Sequence, residues 1–259
     1  MSIENSDYFV KSLEKGLNIL KIFSNEHPTL TISEASRLTG YSKPTTRRIL
    51  LTLTELGYAT CKNNIFSLTA HTLTLGYSFL SSQDLWSSAE PFMREFTAKV
   101  GESCSMAVLD DTDIIYIVRV PTKRIMTITL NVGSRLPAHA TSMGHILLAS
   151  LSSKELEHYL TTAELIKYTN KTLITKQDLK RELDVVRERG WAIAEQQLEE
   201  GLRSIAVPIK NRHDKVIAAI NCSANAARTD EETLTKYHLP SLLETASKIS
   251  DRFRNFSYF

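Results

Sequence analysis

The segment TISEASRLTGYSKPTTRRILLTLTEL, residues 31–56, limits what this chain can fold into more than any other stretch. It reads as two short helices around a tight turn. Ile32, Ala35 and Leu38 recur at helical spacing and give the first helix a buried face. Gly40 stands where that helix stops, and glycine tolerates the left-handed backbone found there. Ser42 is placed to cap the next helix, and Pro44 falls in its first turn, where a missing N–H costs little. Lys43, Arg47 and Arg48 crowd the leading half of this second helix, while Ile49, Leu50, Leu53 and Leu56 supply its apolar side. A helix with a cationic, hydroxyl-rich leading end and an apolar back suits entry into the DNA major groove. The residues expected at the duplex are Ser42, Lys43, Thr45, Thr46, Arg47 and Arg48, divided between phosphate and base contacts. The plainer reading is a helical pair with a solvated basic face.

The flanks favour the first reading. Leu13, Leu17, Leu20 and Ile22 or Phe23 predict a helix from Ser12 to Phe23, ended by His27-Pro28. After Gly57, the β-prone runs 58–60 and 65–68 flank Lys62-Asn63-Asn64 and predict a hairpin. Three helices and a hairpin make a winged helix-turn-helix, with Lys62 at the wing tip as a further expected DNA contact. Net charge is only +2 over 259 residues, but residues 1–80 carry eight Lys/Arg against six Asp/Glu, and the remainder carries 23 of each. The small excess therefore sits with the basic helix.

The length suits two domains. Residues 1–70 are expected to form the DNA-binding domain, 71–90 a helical linker and 91–259 a second domain. The linker's Leu73, Leu75, Phe79, Leu80, Leu85 and Trp86 suit packing within the chain or pairing with another copy, and Pro91 suits the start of a new helix. Beyond it, residues 103–109 and 114–120 read as strands around an acidic turn at 110–113. Further strands are expected at 125–131, 191–196, 203–210 and 216–223. Helices are expected from Gly144, over 178–189 up to Gly190, and over 229–254 with an irregularity at His238-Pro240. This is an α+β chain whose second domain holds a mixed antiparallel sheet with flanking helices. Cys61, Cys104 and Cys222 are odd in number and widely spaced, which suggests neither a disulfide framework nor a zinc site. No apolar run approaches the roughly 20 residues of a membrane helix, and MSIENSDYFVK lacks a signal-peptide layout, so a cytoplasmic protein without membrane contact is expected.

At full length the sequence resembles the IclR family of bacterial transcription regulators. SLEKGLNIL and the helix-turn-helix followed by ELGY resemble its DNA-binding domain. LPAHATSMGHILLASL, ERGWAIAEQQLEEGLRSIAVPI and VIAAINCS resemble its GAF-like effector-binding domain. RIMTITLNVGSRLPAHATSMG and LEEGLRSIAVPI are similar to the branch of PcaU, PcaR and PobR, which controls breakdown of aromatic acids such as protocatechuate and 4-hydroxybenzoate. The resemblance implies a pocket for a small carboxylate at Ser142, Met143, Ala194, Ser204, Asn221 and Ser223, and no cofactor. The residues agree in part. Ser142-Met143-Gly144 introduces a helix whose free N–H groups favour an anion, and Ser204, Asn221 and Ser223 can orient oxygens. Ala194, where an acidic residue can occur in the family, leaves room and removes repulsion. Arg203 enters an otherwise apolar strand, either to meet an anion or to pair with a neighbouring glutamate.

Other features favour bland roles. His139 and His145, six apart, do not share a helical face, so a metal site is not expected. Cys104 suits a core, and no spacing suggests a nucleophile elbow. Glu195, Glu199 and Glu200 read as a solvated or loop-ordering face, with Glu195 a candidate for the pocket border, and Arg119, Lys123 and Arg124 as surface charge. The expectation is a non-enzymatic, ligand-responsive regulator, activating rather than repressing. Its partners are double-stranded operator DNA and a carboxylate effector, and it works as a homodimer or homotetramer because one helix-turn-helix covers only a half-site. The alternatives are an IclR-type regulator, an activator or a repressor, that answers to a sugar acid or short 2-oxo acid, and a cytosolic enzyme or enzyme-like sensor whose helix-turn-helix contacts protein.

Overall fold

The structure is a computed structural model that describes residues 8–24, 26–81, 84–122 and 130–254, with side chains left out at 78–81, 84 and 85. Lys123, Arg124, most of the strand expected at 125–131, and the Phe79, Leu80 and Leu85 side chains lie outside the described residues. The chain divides into two compact units, Met1–Ser82 and Gln83–Phe259, so the segment expected as a linker is shared between them.

The smaller unit contains α1 (Lys11–Lys21), the two-residue strand β1 (Leu30–Thr31), α2 (Ile32–Thr39) and α3 (Lys43–Glu55). The hairpin β2 (Ala59–Lys62) and β3 (Ile65–Leu68) follows, then α4 (Leu73–Ser81). Thr31 and Glu34 form a capping box at the start of α2, and Gly40 ends that helix at φ 71°. Asn63 and Asn64 both take positive φ, as a tight two-residue hairpin turn requires. β1, too short to show a periodic pattern in sequence, adds a third strand beside β3. Ile19, Leu30, Ala35, Leu50, Leu53, Ala59 and Phe66 close the core.

The larger unit begins with the single turn α5 (Asp84–Ser87) and α6 (Glu90–Val100), which has Pro91 in its first turn as expected. Among the described residues its sheet has six antiparallel strands: β4 (Ser103–Asp110), β5 (Asp113–Val120), β6 (Arg135–Pro137), β7 (Ala192–Glu195), β8 (Leu202–Lys210) and β9 (Val216–Asn225). Their order is β6-β5-β4-β9-β8-β7. α7 (Ser142–Ala149), α8 (Ser153–Thr162) and α9 (Lys176–Arg189) cover one face, and α6 and α11 (Leu239–Arg254) the other. Before α11, the short α10 (Glu231–Thr233) runs into a π-turn at Leu234–His238, the irregularity expected beside Pro240.

The two faces pack differently. Met106, Val118, Val120, Ile205, Val207 and Ile220 meet Phe96, Leu242 and Phe253 on the α6/α11 side. The α7 side presents the small Ala107, Ala192, Ala206 and Ala219, which let a wholly buried α7 lie close to the sheet. Its approach to the turn before it is closer still: a Cβ at Gly144 would sit 2.0 Å from the Ala138 carbonyl oxygen. Only glycine fits there.

Candidate nucleic-acid interface and effector cavity

In the smaller unit the helix-turn-helix is locked by its own polar groups. The Ser36 hydroxyl donates to the Tyr41 carbonyl at 2.6 Å, and Asn18 of α1 donates to the Tyr41 hydroxyl at 2.8 Å. Ser42 caps α3, its hydroxyl receiving the Thr45 N–H at 3.4 Å and donating to Thr45 Oγ1 at 2.9 Å. Lys43, Arg47 and Arg48 are exposed on α3, Thr45 is half-buried, and Lys62 is exposed at the hairpin tip. Thr46 is a correction: it is fully buried, with no partner for its hydroxyl among the described residues, so it cannot reach a duplex. Helical spacing carried that signal, because Thr46 lies four residues before Leu50 and seven before Leu53, on the buried stripe.

In the larger unit a narrow cavity of about 30 Å³ opens at one end of the α7 face. The strand register builds its floor. Arg119, Ser105, Asn221 and Ala206 stand side by side in one row across β5, β4, β9 and β8. Ser103, Ser223, Ser204 and Ala194 form a row across β4, β9, β8 and β7. Of the expected residues, Ala194, Ser204, Asn221 and Ser223 line the cavity together. Asn221 is held from both ends: its Oδ1 accepts the Ser105 N–H at 3.2 Å and its Nδ2 donates to Ser223 Oγ at 2.9 Å. Ser223 therefore keeps its own O–H to donate elsewhere. Ser142 shares a 2.8 Å hydrogen bond with Ser204 and stands behind the wall.

Two expected residues point away. The Met143 side chain is buried in the core under α7, leaving only its backbone N–H in the first turn, where helical geometry supplies no acceptor. Arg203 forms the ion pair, not the anion site. Its fork grips both carboxylate oxygens of Glu195, and its Nη1 donates to the Thr229 carbonyl at 2.5 Å. Arg203 holds the Glu195 carboxyl well below its usual range, at about 2.

The remaining lining was not foreseen as a site: Tyr116, Arg119, Leu130, Leu136, Ala140, Thr141, Gln197, Leu198, Glu199 and Leu202. Tyr116 and Arg119 are three apart, which in a regular strand puts them on opposite faces. Ile117 is the extra residue of a β-bulge opposite Met106 and Ala107, and the slip turns both side chains toward the cavity. The all-apolar run around Ile117 gave no warning of it. Burial pushes the Tyr116 hydroxyl up to about 12, against the nearby charge of Arg119, so it stays a neutral donor. Arg119 makes no ion pair with any described carboxylate.

His139 and His145 serve structure. Each Nε2–H donates to a backbone carbonyl, of Ile166 at 3.0 Å and of His139 at 2.8 Å. Complete burial lowers His145 to about 4.

Residues 12–60 match the IclR helix-turn-helix domain and residues 77–251 the bacterial transcriptional regulator IclR C-terminal domain. The chain belongs to the IclR family. This IclR-family regulator is 41% identical over 236 residues to the Pca regulon regulatory protein of Pseudomonas putida, covering 91% of this chain and 81% of that one. A transcriptional regulator of Rhodococcus sp. RHA1 superposes with a TM-score of 0.82 at 42% identity, covering 95% of this chain and 98% of the other. A double mutant of the PobR inducer binding domain from Acinetobacter, in complex with 3-hydroxybenzoic acid, superposes at 28% identity with a TM-score of 0.60. That match covers 63% of this chain and 96% of the domain. As an IclR-family member, this protein is a DNA-binding transcriptional regulator that responds to a ligand. No helix among the described residues is long and apolar enough to cross a membrane.

Proposed function

We propose that this regulator controls genes for the breakdown of aromatic acids and senses an aromatic carboxylate such as protocatechuate or 4-hydroxybenzoate. One observation carries the reading: the cavity combines apolar walls (Tyr116, Leu130, Leu136, Leu198 and Leu202) with the Arg119 guanidinium, which meets no carboxylate among the described residues, and the hydroxyl donor of Ser223. A flat apolar body with one negative end matches that lining, whereas a sugar acid brings hydroxyls that the leucines cannot satisfy. Similarity to the Pseudomonas putida Pca regulon protein and to the hydroxybenzoate-bound PobR domain supports the same choice.

At about 30 Å³ the cavity holds about one or two waters, so an aromatic ring enters as its walls spread. A ligand that binds only the spread form shifts the population toward it, and that difference in affinity is what a second site can read. In the smaller unit, Lys43, Arg47, Arg48 and Lys62 grip operator phosphates and bases. Exposed Leu13, Leu17, Leu56 and Leu75 form an apolar groove on the smaller unit suited to pairing two copies on a partly symmetric operator, as a homodimer or homotetramer. The ligand acts as a coactivator in this reading.

Thermal melting of the full chain with protocatechuate, 4-hydroxybenzoate, gluconate and pyruvate tests the ligand class. The aromatic acids are expected to raise the melting point in a dose-dependent way. A rise with gluconate or pyruvate and none with the aromatic acids overturns the proposal.

A further inference from the structure

Gln197 stands apart among the groups lining the cavity. The residue is more than nine-tenths buried, yet among the described residues its Oε1 has no hydrogen-bond partner. Its main chain is fixed. The Thr172 hydroxyl donates to the Gln197 carbonyl at 2.6 Å, and the Thr169 hydroxyl to the Gln196 carbonyl at 2.6 Å. A pinned residue that holds a bare, buried acceptor is costly. A ligand that supplies a donor recovers that cost.

The charges set the ligand's direction. Gln197 shares its loop, between β7 and β8, with Glu199, which also lines the cavity and repels a carboxylate. Arg119 enters from β5, separated from β7 by β4, β9 and β8, so the positive pole lies on the opposite flank. Resting on the aromatic-acid reading above, we propose that Gln197 is the residue that selects hydroxylated over plain aromatic acids: the carboxylate faces Arg119 and a ring hydroxyl donates to Gln197 Oε1.

The test is calorimetric titration of the full chain with 4-hydroxybenzoate, 4-fluorobenzoate and benzoate. Fluorine is close to a hydroxyl in size and cannot donate. Wild type is expected to bind 4-hydroxybenzoate at least about tenfold more tightly than either of the others, since an unmet buried polar group discriminates strongly. Gln197→Met is expected to bring 4-hydroxybenzoate down to the level of 4-fluorobenzoate while leaving benzoate unchanged. Arg119→Met is expected to weaken all three acids by about tenfold or more, and to spare 4-hydroxybenzamide, which lacks the charge. Equal wild-type affinity for 4-hydroxybenzoate and 4-fluorobenzoate overturns the assignment without any variant. Full discrimination kept in Gln197→Met overturns it while the aromatic-acid reading survives. Failure of wild type to bind any of the three acids, or protocatechuate titrated beside them, removes both.

Discussion

The two functional regions are built on opposite principles. The proposed DNA-reading surface is largely local: its cap, its turn glycine and three of its four cations lie within residues 40–48, and only Lys62 comes from elsewhere, at the hairpin tip. The proposed effector cavity is assembled from β5, β6, β7, β8, β9, the turn before α7 and loop residues, from Tyr116 to Ser223 along the chain. A local site is readable from periodicity and charge, and tolerates changes elsewhere. An assembled site depends on register, bulges and close approaches, and fails with the packing that aligns it.

Gly144→Ala breaks the assembled site most severely. The new Cβ meets the Ala138 backbone, so the larger unit is expected to lose about 3 kcal/mol of stability. Its melting transition should fall while binding of a duplex by the smaller unit persists; an unchanged melt contradicts the close approach.

Acid probes the same packing from another side. His145 is held neutral, at about 4 against 6.5 when unfolded, so the unfolded chain binds more protons between those values. Its contribution is present above pH 6.5 and lost as pH falls toward 4, by up to about 3 kcal/mol. The Glu195–Arg203 pair, with Glu195 at about 2, loses its part only below about pH 4.5. Denaturant titrations at pH 7, 5.5 and 4.5 should therefore show stability declining before the carboxylates titrate; a flat profile to pH 4.5 contradicts the buried neutral imidazole.

On the reading surface the effects are confined to DNA. Arg47→Ala should cost operator binding about 1–3 kcal/mol with no change in ligand-induced melting, by gel shift and thermal shift on the same preparation. Equal operator affinity removes Arg47 from the interface. The smallest effect separates two adjacent threonines. Thr46→Val replaces a buried hydroxyl that has no partner among the described residues and should leave operator affinity unchanged while raising stability by about 1 kcal/mol. Weakened DNA binding in that variant would return Thr46 to the surface.

Legibility in the sequence follows the same division. The three helices, hairpin and cap of the smaller unit were readable because each signal is a few residues long. β1 was not, being two residues long. α8 was missed although Ser152 and Glu155 form a capping box that the sequence displays. In the cavity, Ala194, Ser204, Asn221 and Ser223 came from family resemblance. Arg119 did not, because its direction depends on the bulge at Ile117, and Gln197 did not, because a lone glutamine in a loop carries no pattern.

The central claim is that an acid in the cavity and a duplex on α3 act on one equilibrium. Its most direct test is the affinity of the full chain for 4-hydroxybenzoate, titrated with and without a saturating duplex selected from random sequence by the protein itself. Thermodynamic reciprocity predicts a change of about fivefold or more in acid affinity when the duplex is bound, matched by the same factor in duplex affinity when the acid is bound. Two affinities that are each indifferent to the other ligand would contradict it.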